Sequence, residues 1–178
     1  DNRLMAGAVR HCLEPILASW ISENQQGFIK DRSMLSNVAD ISHRAQAVSL
    51  DDDRGGMLLF DFKAVFPSLS HGYMHAVLKA LGLPSHILNF VISLYDSHCC
   101  HIVSGGGVFQ GFEIQAGIRQ GCPLSPLLFA LVVDIVLRRR QRLCPTITIR
   151  AFADDIAVVV PDLYRCIPTL MRIFSETA

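Results

Sequence analysis

Paired cysteines are the first thing this chain lacks. Its six cysteines, Cys12, Cys99, Cys100, Cys122, Cys144 and Cys166, show no C-x-x-C spacing. That argues against a zinc ribbon or a disulfide framework and suits a reducing, intracellular setting. His98-Cys99-Cys100-His101 resembles a metal box, but alternate side chains of a strand face opposite ways, so strand packing is the better reading. Long apolar runs are also missing. The longest, Leu127 to Leu137, is broken by Asp134 and falls short of the ~18 residues a membrane span needs. No signal-peptide pattern, internal repeat or low-complexity linker is visible. Nor does either charge dominate, because 16 basic residues balance 16 acidic ones and any basic surface must be local. Arg138-Arg139-Arg140-Gln141-Arg142 is one such stretch, read as a solvated helix end at least as readily as a nucleic-acid contact.

What is present suffices for one core. With 178 residues, 51% of them hydrophobic, the chain fits one domain or a fragment of one. Asn2 to Ile21 reads as a helix with Leu13, Ile16, Leu17, Trp20 and Ile21 on one stripe, and Pro15 marks a break or restart. Ser33 to Leu50 reads as a second helix. The acids of Asp51-Asp52-Asp53, beside glycines, are solvent-facing loop residues. A Ser70 cap, apolar residues from Met74 to Leu81 and a stop at Gly82 outline a third helix; Pro84 opens a fourth. Gly105-Gly106-Gly107 is a hairpin turn, since no helix follows to make it a phosphate cradle. Leu124, Leu127, Leu128, Leu131 and Ile135 mark another helix.

Three aspartates carry the chemistry. Thr146 to Phe152 alternates with period two, and Ile156 to Val160 is an apolar, mainly β-branched run stopped by Pro161, so the two read as antiparallel strands with Asp154 and Asp155 at the turn. Met57 to Phe62 is an apolar strand carrying Asp61, a charge costly to bury unless paired or bound to a cation. If the three strands are neighbours, Asp61 reaches Asp154. Convergent carboxylates are hard oxygen ligands for Mg²⁺, and two such ions suit phosphoryl transfer. An Asp-Asp pair at a hairpin is by itself ordinary turn chemistry. The preceding aromatic, the flanking strands and the distant strand-end aspartate together favour the metal site.

Four motifs in order resemble the reverse transcriptases, most closely those of non-LTR retrotransposons: Gln25-Gln26-Gly27-Phe28-Ile29-Lys30-Asp31-Arg32-Ser33; Phe60-Asp61-Phe62-Lys63-Ala64-Val65-Phe66; Gly117 through Phe129; and Phe152-Ala153-Asp154-Asp155. The resemblance implies an α+β polymerase palm, a small antiparallel sheet covered by helices, with partial fingers. Residues 1–178 would form a single partial domain, about 1–56 from the fingers and about 57–178 mainly palm, ending before the family's later lysine motif, primer grip and thumb. It implies that Asp61, Asp154 and Asp155 hold two Mg²⁺ ions, or Mn²⁺ in their place, assisted by the carbonyl of Phe62. Lys30 and Arg32 would bind the triphosphate, Phe66 would be the aromatic that rejects a 2′-hydroxyl, and Gln120 would contact nucleotide and template. The implied partners are an RNA template, a DNA primer and deoxynucleoside triphosphates, without a membrane, in cytoplasm and nucleus.

The implied activity is RNA-directed DNA polymerisation within a retrotransposon polyprotein. The alternatives are a non-catalytic remnant or binding module that kept the palm, and a maturase-type intron enzyme. Two departures stand out. Pro67-Ser68 follows the aromatic where many relatives carry a second aspartate, and Asp31 replaces a common glycine between the two basic residues, weakening the positive field there.

Overall fold

The computed structural model describes the chain apart from residues 1, 52, 63, 64, 97, 98 and 178. His98 of the cysteine-histidine stretch and Asp52 of the acidic loop therefore lie outside the described residues. The chain opens with two helices, α1 (Asn2–Trp20) and α2 (Met34–Asp51), before strand β1 (Gly56–Phe60). Three helices follow, α3 (Val65–Ser68), α4 (His71–Ala80) and α5 (Ser85–Tyr95). A hairpin, β2 (Cys99–Ser104) and β3 (Gly107–Glu113), precedes the long helix α6 (Ser125–Leu143). Strands β4 (Thr148–Phe152) and β5 (Asp155–Val160) and helix α7 (Leu163–Thr177) complete the order. This is the α+β arrangement expected, with small antiparallel sheets among helices.

The contacts divide the chain into two compact units. One unit comprises Asp1–His11 and Ala64–Leu128. Its helix α4 begins where the Ser70 side chain accepts a hydrogen bond from the Tyr73 N–H, and the chain turns out after it through Gly82 at φ 71°. Met74, Val77 and Leu78 of α4 and Val91, Leu94 and Tyr95 of α5 are among its buried apolar residues. In the β2–β3 hairpin, Ser104 pairs with Gly107, and Gly105 and Gly106 both take positive φ as a two-residue type I′ turn demands. The stretch from Cys99 is a strand, as read, with Cys99 exposed.

The other unit comprises Cys12–Lys63 and Phe129–Ala178. Its three strands are ordered β1-β5-β4, all antiparallel, and α2 packs against each of them. The central strand β5 buries Ile156, Val158, Val159 and Val160, which accounts for its β-branched run. Three expectations need correction here. Pro15 lies inside α1 without ending it. It is solvent-exposed, so the carbonyl its ring displaces can turn to water rather than break the helix. Ile16 and Trp20, placed on the buried stripe by spacing, are 58% and 48% exposed, whereas Leu13, Leu17 and Ile21 are buried. Arg140 is not a solvated helix-end residue: it is wholly buried, with its guanidinium 6.0 Å from the centre of the Phe62 ring. Burial alone pushes its pKa down to about 9.

Asp134, which interrupts the apolar run of α6, is buried with its carboxylate satisfied. Its carboxylate accepts hydrogen bonds from the N–H (3.1 Å) and hydroxyl of Ser22 and from Arg138 (2.7 Å). Arg138 in turn donates to the carbonyl of Trp20, so the end of α1 is tied to α6.

Candidate active site

The aspartates belong to one sheet end of one unit. Phe60 pairs with Ile156, and one step further along the register Asp61 comes level with Asp155. On the other side of β5, Phe152 pairs with Asp155. The turn is therefore Ala153-Asp154 rather than Asp154-Asp155, with Asp155 the first residue of β5. Because β5 is central, the end of β1, just before Asp61, and the turn that holds Asp154 lie on either side of it. By the alternation of strands, Asp61, Leu59 and Met57 share a face with Asp155 and Phe152. On that face Asp61 and Asp155 are exposed, and Leu59 and Met57 are largely so.

The donor set suits a hard divalent cation: carboxylate oxygens, open to solvent, on adjacent strands. Mg²⁺ usually keeps waters and completes its shell with substrate phosphates instead of a closed protein cage. Among the described residues no three His, Cys, Asp or Glu side chains are gathered closely enough to enclose an ion. The Phe62 side chain is half-buried, its ring close to Arg140.

The turn is held from outside. Ala153 has φ 58°, a left-handed conformation unusual for alanine, and only this first turn residue is positive, the sign pattern of a II′ hairpin in which glycine is the usual choice. Segment Asn24–Gly27 runs along the free edge of β4: the Ala151 N–H donates to Asn24 O at 2.7 Å and the Gln26 N–H to Ala151 O at 2.8 Å, giving a parallel bridge at Ala151. Asn37 of α2 donates to the same Ala151 carbonyl at 2.8 Å. Gln25, wholly buried, reaches the turn. A Cβ on Gly27 would collide with the backbone N of Ala153 and lie 2.8 Å from its Cα, so only glycine permits this approach.

The same segment carries the two expected phosphate-binding residues, and their surroundings differ sharply. Lys30 is exposed. Arg32 is committed to the protein: its guanidinium donates to the carbonyls of Ser22 (2.6 Å), Gln25 (2.6 Å), Ala18 (2.9 Å) and Ile21 (2.8 Å). These are mostly carbonyls at and just after the end of α1, where a helix leaves acceptors unsatisfied. Sequence reasoning missed this role, as it missed that of Gln25, because both depend on chain segments brought together only by folding.

In the other unit, the tail of the first palm motif and the start of the second are joined. The Ile118 N–H donates to Phe66 O and the Gly117 N–H to Leu69 O, each at 2.8 Å. His71 Nε2 lies 2.8 Å from Gly117 O. Gly117 has φ 95°, and a Cβ there would lie 2.8 Å from Pro67 Cα and from Pro67 O. Pro67-Ser68 thus forms the short helix α3 that presses on the second motif. Phe66, half-buried, and exposed Gln120 belong to this joined segment. Beside it the Tyr95 hydroxyl meets Ser125 Oγ at 3.1 Å, and burial leads the causes that raise the Tyr95 pKa.

Residues 1–178 match the family Reverse transcriptase (RNA-dependent DNA polymerase). The chain belongs to the reverse transcriptase family. Among its relatives are the Transposon TX1 uncharacterized 149 kDa protein of Xenopus laevis, 26% identical over 92% of this chain and 13% of that protein, and the Pol polyprotein of the type-2 retrotransposable element R2DM of Drosophila melanogaster, 34% identical over 55% of this chain and 10% of that protein. The chain thus spans a small fraction of the length of the curated relatives it matches. The fold is shared with apo telomerase of Candida tropicalis, truncated from its C-terminal domain, at a TM-score of 0.74 and 13% identity over 94% of this chain and 36% of that one. Telomerase of Candida albicans, solved in complex with a fragment of telomeric RNA, gives 0.71 at 13% identity over 96% of this chain and 32% of that one. This reverse transcriptase chain is thus related to retrotransposon polyproteins and shares the fold of the telomerase core.

Proposed function

We propose that this chain carries the nucleotidyl-transfer centre of a retrotransposon polymerase that copies an RNA template by adding deoxynucleotides to the 3′-hydroxyl of a DNA primer. The observation that carries this reading is that Asp61 follows β1, Asp155 opens β5 and Asp154 stands at the adjoining turn, all at one open sheet end, in a chain whose whole length matches the family. Asp61, Asp154 and Asp155, with the Phe62 carbonyl, would hold two Mg²⁺ ions, or Mn²⁺. Such ions, when bound, supply Lewis acidity at the α-phosphate and lower the pKa of the attacking hydroxyl.

The chain's own groups bind, orient and select. Carboxylates on adjacent strands keep negative charge concentrated at the sheet end, which is what a divalent cation requires. The exposed Lys30 ammonium would attract the incoming triphosphate as a mobile point charge. The ring of Phe66, packed under the sugar, would reject a 2′-hydroxyl, and Gln120 would contact nucleotide and template. Arg32 serves this function indirectly, by fixing the loop that bears Lys30. The partners are then RNA template, DNA primer and deoxynucleoside triphosphates. The test is primer extension on poly(rA)/oligo(dT) with Mg²⁺ by the intact protein and its Asp154→Asn variant. Incorporation that the substitution abolishes is the expected result; undiminished incorporation by a folded variant would sink the assignment.

A further inference from the structure

We infer that Gln25 is a positioning residue for the Asp154–Asp155 carboxylates, a reading that rests on the function proposed above. Its carboxamide makes three hydrogen bonds at a site with no solvent access. Oε1 accepts from the N–H of Gly27 at 2.8 Å and from the N–H of Ala153 at 2.9 Å, and Nε2 donates to Ala153 O at 3.0 Å. The two atoms cannot be exchanged, because a flipped amide would set its NH₂ against two N–H donors and its oxygen against a carbonyl. One side chain therefore grips both backbone polar groups of a single turn residue.

That residue is the one on which the aspartates depend. Alanine at φ 58° is strained, so the turn needs outside support. The direction in which Asp154 and Asp155 leave the turn follows from the dihedrals of Ala153. Gln25 fixes those dihedrals from a segment remote in sequence, and the absence of a Cβ at Gly27 lets that segment close on the turn. The chemistry specifies glutamine. Glutamate keeps the acceptors but loses the donor, methionine keeps the length and loses both, and asparagine is one methylene shorter.

Two variants of the intact protein test this, Gln25→Met and Gln25→Glu, with Asp154→Asn as reference and folding followed by circular dichroism. Mn²⁺ affinity read by electron paramagnetic resonance, in the absence of nucleotide, should fall about tenfold in folded Gln25→Met, the usual effect of losing a group that orients a metal ligand. The Mg²⁺ concentration for half-maximal extension should rise in parallel, while KM for the deoxynucleotide at saturating Mg²⁺ stays near the wild-type value. A purely structural role would not produce that split. Unchanged Mn²⁺ affinity and Mg²⁺ requirement in either folded variant overturn the inference. If neither variant folds, the wild type decides: the clamped Ala153 amide must exchange with solvent at least about tenfold more slowly than that of Asp154, and equal rates overturn the clamp. An inactive wild type whose Mn²⁺ binding still depends on Asp154 and Gln25 would sink the polymerase reading and leave the clamp standing.

Discussion

Asp31 shows a single residue holding a backbone conformation that glycine would adopt at less cost. It stands at φ 63°, in the left-handed region that glycine enters freely and aspartate tolerates better than most residues. Asp31→Gly should therefore leave stability nearly unchanged in chemical unfolding, whereas Asp31→Val, β-branched, should lose about 1–3 kcal/mol. Removing the carboxylate should also lower KM for the nucleotide if Lys30 meets the triphosphate, because the local field becomes more positive. Arg32 leads to the opposite expectation. With four carbonyls on a forked guanidinium, Arg32→Lys keeps the charge and loses the fork, and should reduce stability by about 1.5–3 kcal/mol, with little change in the nucleotide KM of the protein that remains folded. A large KM increase with unchanged stability would return Arg32 to the phosphate. Charge type and motif position were legible at both residues. Backbone dihedrals and acceptors remote from the motif were not, because a sequence does not print which carbonyls a helix end leaves open nearby.

Elements with local causes were the readable ones. Helix α4 was announced by Ser70 and Gly82, the β2–β3 hairpin by its glycines, and β4 and β5 by alternation and branching. The turn between β4 and β5 was misplaced by one residue, since only pairing with β1 and the edge segment at Asn24–Gly27 sets its register. Helix α7 went unread although Asp162 caps it, its carboxylate accepting from the Arg165 N–H at 3.1 Å, because Pro168 interrupts the pattern inside it. The contrast between two glycines follows from the same distinction. Gly105 has φ 56° but open space around its missing Cβ, whereas Gly117 has φ 95° and Pro67 backbone atoms within 2.8 Å. Gly105→Ala should cost only the local dihedral strain. Gly117→Ala adds a collision with α3, and should destabilise its unit by a further 1–3 kcal/mol or so. Hydrogen exchange of the α4 and α5 amides is the measurement; equal losses in the two variants would show that the segment around Pro67 gives way cheaply.

At the scale of the whole molecule, charge governs what the sheet end can recruit. Sixteen cations against sixteen anions leave no general basic field, and several cations are already engaged internally, Arg32 with four carbonyls and Arg150 with Asp40 at 2.5 Å and Asn24 at 2.7 Å. Binding of an RNA–DNA hybrid by this chain should therefore release few counterions. A plot of log affinity against log salt between about 50 and 200 mM should have a slope shallower than about −4, where a protein making six to ten phosphate contacts gives a steeper one. Burial first, then neighbouring His71, holds the His75 pKa below the ordinary value. The sign for stability follows. A histidine whose folded pKa is depressed binds more protons unfolded, so His75 opposes folding as pH falls through about 6.5. Acidification should thus erode the unit containing α4. His75→Phe, which cannot charge, should flatten the stability profile below that pH. Thermal melts from about pH 7.5 to 5.5 on both proteins are the measurement. A steep salt slope at neutral pH would instead reveal a concentrated basic surface that neither the composition nor the engaged arginines lead one to expect.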